Sequence, residues 1–270
     1  MKQLSTLILS FFCVFLSINF VTAQEDSTTY FSVEYMKVKP GMNDDYVKLE
    51  NTWKKIHEAR IKEGKSDGWF FFAVIAPSGT NMEYNYVTVS RFRGDKKLAG
   101  LFEGPYFPEN WEALLSPEEL AMVQKTEEYR DIVRTEIWSF ESGVFADDWL
   151  TAKIHVFNYF KNRPGKTNAD HTKAEVDIWK PLHSARVKDG AMKGWGLYNL
   201  EFPFGANTAY DSGTVDVYSN MEQYLSADFE GYFEKIHPGK DINKLFQQTS
   251  ETAALINGEV RMLLNYAAGK

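Results

Sequence analysis

The stretch Trp53-Lys54-Lys55-Ile56-His57-Glu58-Ala59-Arg60-Ile61-Lys62-Glu63-Gly64 returns 126 residues later as Trp179-Lys180-Pro181-Leu182-His183-Ser184-Ala185-Arg186-Val187-Lys188-Asp189-Gly190. Each copy runs on to a Gly-Trp pair, Gly68-Trp69 and Gly194-Trp195. A repeat at this spacing marks a duplicated structural unit rather than one large domain. On a helix, Trp53, His57, Arg60 and Gly64 fall on a single stripe, as do Trp179, His183, Arg186 and Gly190. Ile56 and Ala59, with Leu182 and Ala185 in the second copy, lie beside the stripe and draw it toward a core. Other positions have drifted between the copies, Lys55 to Pro181 and Glu58 to Ser184. The His and Arg have not, which implies a specific partner for each.

Outward from this block the two copies keep the same order of elements. Alternating apolar residues over Tyr30–Val38 and Ala152–Phe160, closed by Pro40-Gly41 and Pro164-Gly165, predict a first strand in each. Helices follow over Asn43–Gly64 and Asn168–Gly190, their terminal glycines suited to a left-handed C-cap. Strand pairs come next, Trp69–Ile75 with Tyr84–Phe92 and Trp195–Phe202 with Thr214–Tyr218. Phe102-Glu103-Gly104 and Phe229-Glu230-Gly231 form a further shared marker. A second helix starts at Ser116-Pro117-Glu118-Glu119 and, in the other copy, at Asp241. Gln124/Thr126 and Gln247/Thr249 lie on these helices, and last strands carry Val133-Arg134 and Val260-Arg261.

This β-α-β-β-α-β order is a split β-α-β unit, a four-stranded antiparallel sheet with both helices on one face. The other sheet face also carries apolar residues and needs a cover, which the second copy supplies. The expected fold is α+β, with ferredoxin-like halves at 29–140 and 151–267 joined by a linker at 141–150. Their sheets would pair within one chain, so a monomer is expected. The element order, the Pro-Gly after the first strand and the Trp-bearing first helix resemble the dimeric α/β-barrel superfamily. That group includes antibiotic-biosynthesis-type and heme-degrading monooxygenases, chlorite dismutases and stress-responsive barrel proteins. The resemblance implies a ligand cavity between helices and sheet in each half. It assigns no catalytic residue.

The candidate site residues come from the repeat. His57 and His183 are candidates for acid-base chemistry. Arg60 and Arg186 are candidates for holding an anionic group, with Trp53, Trp69, Trp179 and Trp195 as apolar walls. Arg134 and Arg261, at one strand position in both halves, offer either a salt bridge to the first helix or a second cationic wall. Glu136 shares the face of Arg134 and Trp138, whereas its counterpart is Leu263. A purely structural role for the His-Arg pairs stands beside the functional one. His155 lies on a strand, and His171 and His237 read as surface or loop positions.

No His-x-x-His or His-Glu-x-x-His pair provides zinc spacing, and no glycine-rich loop follows a strand. No metal or cofactor is therefore expected. Heme would have only one histidine in an aromatic cavity to rely on. A net charge of -7 with interspersed signs lacks the footprint of a nucleic-acid binder. The composition, with 15% aromatic residues, suits filled cores and a small apolar or aromatic ligand.

The start reads as a signal peptide, residues 1–23: Met1-Lys2, an apolar run from Leu7 to Val21, and Val21-Thr22-Ala23 before Gln24. The run falls short of the roughly 20 residues of a membrane span. Cys13, the only cysteine, lies within it, so the mature chain would have no disulfide or thiolate chemistry. The expected product is a periplasmic or secreted small-molecule-binding protein. Its chemistry would be cofactor-poor and monooxygenase-like, or it would serve as a non-catalytic ligand-sequestering or interaction module.

Overall fold

The computed structural model describes residues 28–269, so the predicted signal peptide and Cys13 lie outside the described residues. The first half runs β1 (Thr29–Val38), α1 (Asn43–Lys62), β2 (Gly68–Ala76), β3 (Tyr86–Arg93), α2 (Asp95–Glu103), α3 (Pro117–Gln124), α4 (Thr126–Tyr129) and β4 (Arg130–Phe145). The second runs β5 (Ile154–Asn162), α5 (Asn168–Ala174), α6 (Lys180–Lys188), β6 (Gly194–Phe202), β7 (Ser212–Tyr218), α7 (Met221–Leu225), α8 (Phe229–Ile236), α9 (Ile242–Ser250) and β8 (Ala253–Ala268).

All eight strands close into one antiparallel barrel, in the order β1-β3-β2-β8-β5-β7-β6-β4. This is the expected intramolecular pairing of two ferredoxin-like sheets. The order repeats after four strands, so a pseudo-twofold runs along the barrel axis. Closure rests on two long strands of 16 residues each. One end of β4 pairs with β1 of its own half, and the other, Ile137–Phe145, pairs with β6. β8 does the same between β5 and β2. Sharing these strands removes the free edges that two separate sheets would present. It also means that β4 continues to Phe145, into the segment read from sequence as linker.

Period-two alternation sorts the strand side chains into two layers. Tyr35, Phe70, Phe72, Val87, Val89 and Leu263 face the barrel interior. On the outer face, Met36, Trp69 and Phe71 pack under Tyr46, Leu49 and Ile56 of α1, and Trp179 and Leu182 meet Phe233 and Leu245 in the second half. Ser116 caps α3 in a capping box with Glu119, and Asp241 caps α9 by accepting from the Asn243 amide. The Phe-Glu-Gly markers are not equivalent in space. Phe102 sits exposed near the end of α2, while Phe229 opens α8.

The helix predicted over 168–190 is continuous but not uniform. A π-helical turn, Glu175–Trp179, separates α5 from α6, and the Lys180 amide bonds to the Glu175 carbonyl five residues back. Pro181 has no amide proton to give to the carbonyl four residues earlier, and its ring would crowd that carbonyl. Widening the preceding turn accommodates the proline. The first half has Lys55 at this place and a regular helix of 20 residues.

The shared strands predict that 28–145 produced alone dimerises or aggregates, because Ile137–Phe145 and β2 would lose their partners. Light scattering on the isolated half checks this; a soluble, cooperatively unfolding monomer contradicts it.

Candidate functional site

His57 and His183 project from the first long helix of each half onto the outer face of the sheet. His57 lies flat on Trp69, with ring centroids 4.9 Å apart and planes 12° from parallel. His183 lies on Trp195 at 5.3 Å and 7°. Three residues on, Arg60 and Arg186 each place Nη1 3.4 Å from the Nδ1 of their own histidine. Beside them the indoles of Trp53 and Trp179 donate to Thr126 and Thr249, at 3.1 and 2.8 Å. Those threonines belong to the paired Gln-x-Thr positions, so the repeat preserves a helix-to-helix hydrogen bond.

Both arginines are buried, with 2% and 3% of their surface exposed, and among the described residues neither has a carboxylate oxygen within 4.0 Å. Their Nε atoms have no protein acceptor. Arg60 rests on the Tyr106 ring, 4.0 Å from its centroid, and Arg186 donates to the Tyr218 hydroxyl at 3.1 Å. Burial, followed by the adjacent guanidinium, holds His57 well below the ordinary histidine range and lowers His183 to about 3. Both imidazoles are therefore neutral at pH 7, with Nδ1 facing a donor, which fixes the proton on Nε2. A neutral imidazole of this kind is poorly suited to give up a proton at neutral pH.

The two halves then diverge. In the first, Phe107 stacks on Trp53 at 5.8 Å and on Trp111 at 4.3 Å, and with Tyr106 these rings occupy the space beside His57. In the second, an open cavity of about 300 Å³ lies beside His183. Trp179, Trp195, Phe229 and Phe246 form its apolar walls, and Asn158, Thr214, Asp216 and Glu175 its polar side. Volumes on the order of 300–1,000 Å³ with a few convergent polar groups are typical of small-molecule sites.

Asp216 is the chemically distinctive group. Its Oδ2 accepts from the Asn158 amide at 3.2 Å, while Oδ1, 3.9 Å from His183 Nδ1, is buried with no hydrogen-bond partner. Burial raises its pKa to about 6, against the opposing pull of Arg186 and Asn158. Sequence reading passed over it because its counterpart in the repeat is Ser90. A signal was present nonetheless. Thr214, Asp216 and Tyr218 alternate onto the one face of β7 that helices must cover. His171 and Glu175 likewise continue the Trp179-His183 stripe backwards in steps of four.

Other sequence assignments need correction. Arg134 and Arg261 do not wall the helix-sheet cavity and do not reach the first helix, because their strand faces point into the barrel. There Arg134 pairs with Glu83 at 2.8 Å and Glu136 at 3.2 Å, and Arg261 pairs with Glu259 and with the Tyr159 hydroxyl. His171 and His237 are not surface positions. His171 is buried against Ser212, 2.8 Å away, and the His237 ring lies 2.8 Å from the Ile178 carbonyl. Trp53 and Trp69 do sit with His57, but in a filled space.

The raised pKa of Asp216 has a signed consequence. A carboxyl held above its unfolded value adds stability that is complete below pH 3.8 and is lost as pH rises through about 6. His183 runs the other way, its contribution complete above pH 6.5 and lost as pH falls toward 3. Asp216→Asn should therefore stabilise the protein at pH 8 by up to about 3 kcal/mol and change little at pH 4. Urea unfolding at the two pH values checks this; a destabilised variant at pH 8 contradicts it.

No protein-family model and no curated protein sequence matches the chain. Solved structures do. A candidate monooxygenase of Fusobacterium nucleatum subsp. nucleatum superimposes with a TM-score of 0.56 at 10% identity, covering 90% of this chain and 95% of its own. A candidate monooxygenase of Lactobacillus acidophilus NCFM does so with a TM-score of 0.53 at 10% identity, covering 89% and 96%. At such identity the likeness is one of fold. The chain has the fold of the dimeric α/β-barrel superfamily, with both halves of the barrel supplied by one polypeptide.

Proposed function

We propose that this is an exported small-molecule-binding protein whose second-half cavity takes an apolar, planar ligand bearing an acidic hydrogen conjugated with a carbonyl or hydroxyl group. The reaction best suited to the site is monooxygenase-like and needs no resident cofactor. The observation that carries the reading is Asp216, which lines a cavity walled by Trp179, Trp195, Phe229 and Phe246 and whose Oδ1 is buried with no protein partner.

The aromatic walls bind and orient the ring system and exclude water. Asp216, with a pKa near 6, is a base at neutral pH and accepts the acidic proton at Oδ1. The buried Arg186, without a close carboxylate, offsets the negative charge left on the ligand through its field at His183. An electron-rich carbanion or phenolate reacts with dioxygen directly. For an activated methylene the balance is CH2 plus O2 giving C=O plus H2O, with no external reductant. The names of the two similar structures, both candidate monooxygenases, agree with this class.

Anthrone, which carries such a methylene between two aryl rings, is a direct probe. Oxygen uptake with anthrone should exceed the uncatalysed rate, with kcat/KM rising as pH passes about 6 and levelling above it. Asp216→Asn should lose most of the turnover and keep binding, Trp179→Ala should weaken binding, and His57→Ala should change neither. Thermal stabilisation by the ligand without oxygen uptake would assign the protein to ligand sequestration. Heme ligation by His183 would need its proton to move off Nε2 and the Arg186 contact at Nδ1 to be given up; a Soret band that shifts on addition of heme and is lost in His183→Ala would show that exchange and assign the cavity to heme.

A further inference from the structure

The barrel interior holds a second, smaller space of about 90 Å³, separated from the outer cavity by the sheet. Its floor is a polar layer on the pseudo-twofold axis. Tyr35 and Tyr159, which stand equally far before the two Pro-Gly pairs, meet there with hydroxyls 3.4 Å apart. Tyr35 and Tyr210 donate to Glu136 at 2.8 and 2.5 Å, and Tyr84 donates to Glu259 at 2.7 Å. Arg134 and Arg261 pair with these same two carboxylates. Within the barrel the layer is thus balanced, two arginines against two buried glutamates, with the exposed Glu83 reaching Arg134 from outside.

Above this floor the walls are apolar, including Phe70, Phe72, Val89, Phe157 and Val215. Phe145 at the end of β4 and Trp149 of the β4–β5 connection also line the space, both only half-buried, with ring centroids 5.0 Å apart. On the arginine that lines the space, one donor is left over. Arg261 is fully buried and lines the space, its Nε is held by Glu259 and its Nη2 by Tyr159, and its Nη1 has no protein acceptor. A hydrogen-bond donor buried without an acceptor costs roughly 1–3 kcal/mol, so an acceptor supplied from outside is favoured.

We infer that the barrel interior is a second ligand site, for a small, single-ring neutral aromatic molecule with one carbonyl oxygen, which accepts from Arg261 Nη1. Neutrality follows from the charge balance. Arg261 already has its counter-charge in Glu259, so an anion would enter a low-dielectric space facing two carboxylates, Glu136 and Glu259. The shape follows from the aromatic lining. The site is independent of the outer cavity and of any reaction there.

The test uses the full chain and three single-ring probes: acetophenone, ethylbenzene and benzoate. Quenching of Trp138 and Trp149, which line the space, reports binding. Acetophenone should bind roughly tenfold more tightly than ethylbenzene, reflecting the hydrogen bond to a charged donor, and benzoate should bind most weakly. Val89→Phe and Val215→Phe, which each place a ring in the space, should reduce acetophenone affinity at least tenfold while retaining cooperative melting. Trp179→Ala, in the outer cavity, should leave it unchanged. Tighter binding of benzoate than of acetophenone in the wild-type protein overturns the inference without recourse to any variant. So does loss of acetophenone binding in Trp179→Ala, which would place the probe in the outer cavity. Unaltered affinity in both Phe variants overturns it as well.

Discussion

Strand exchange at β4 and β8 is the constraint on which the rest of the molecule depends. A four-stranded sheet has two edges with unpaired amides and carbonyls, and its inner face is apolar. Each of these 16-residue strands satisfies one edge of its own half and one edge of the other. The barrel interior is thereby enclosed, and the outer faces are left to the helices. Both cavities exist because of this division, one on each side of the same sheet. The shared strands also place Arg134 and Arg261 on opposite sides of one axis, where tyrosines from both halves complete their pairing.

Duplication built the frame, and loss of symmetry within it distinguishes the second half. The His-on-Trp stack, the His-Arg contact and the Trp-to-Thr hydrogen bond recur in both halves with nearly the same geometry. Features that recur so closely are best read as supports of the helix-sheet contact. What differs is the chemistry beside them. Tyr106, Phe107 and Trp111 fill the first half, whereas Pro181, the widened turn at Glu175 and Asp216 accompany an open cavity in the second. A π-helical turn next to a cavity is a frequent device at functional sites.

The fold was legible because its signals are local and doubled. Period-two strands, glycine caps, the Ser116-Pro117 start and the repeat itself all point to one β-α-β-β-α-β order, and pairing of two copies follows from the apolar sheet faces. The location of His57 and His183 at the helix-sheet boundary was equally legible from helical spacing. The face taken by Arg134 and Arg261 was not, because alternation says which residues share a face and not which face turns inward. The second carboxylate of the barrel layer was also hidden: Glu136 lies two residues after its arginine, and Glu259 two before. Asp216 escaped for a related reason. A search for retained residues favours the scaffold, and the proposed base is a residue that the copies do not share.

The most direct test of this account is a crystal structure of the full chain with bound anthrone. The account predicts the ring system between Trp179 and Trp195 in the second half, with its acidic carbon within reach of Asp216 Oδ1. The space beside His57 should remain filled by Phe107 and Trp111. Ligand density beside His57, or a ligand in the second half turned away from Asp216, would contradict it.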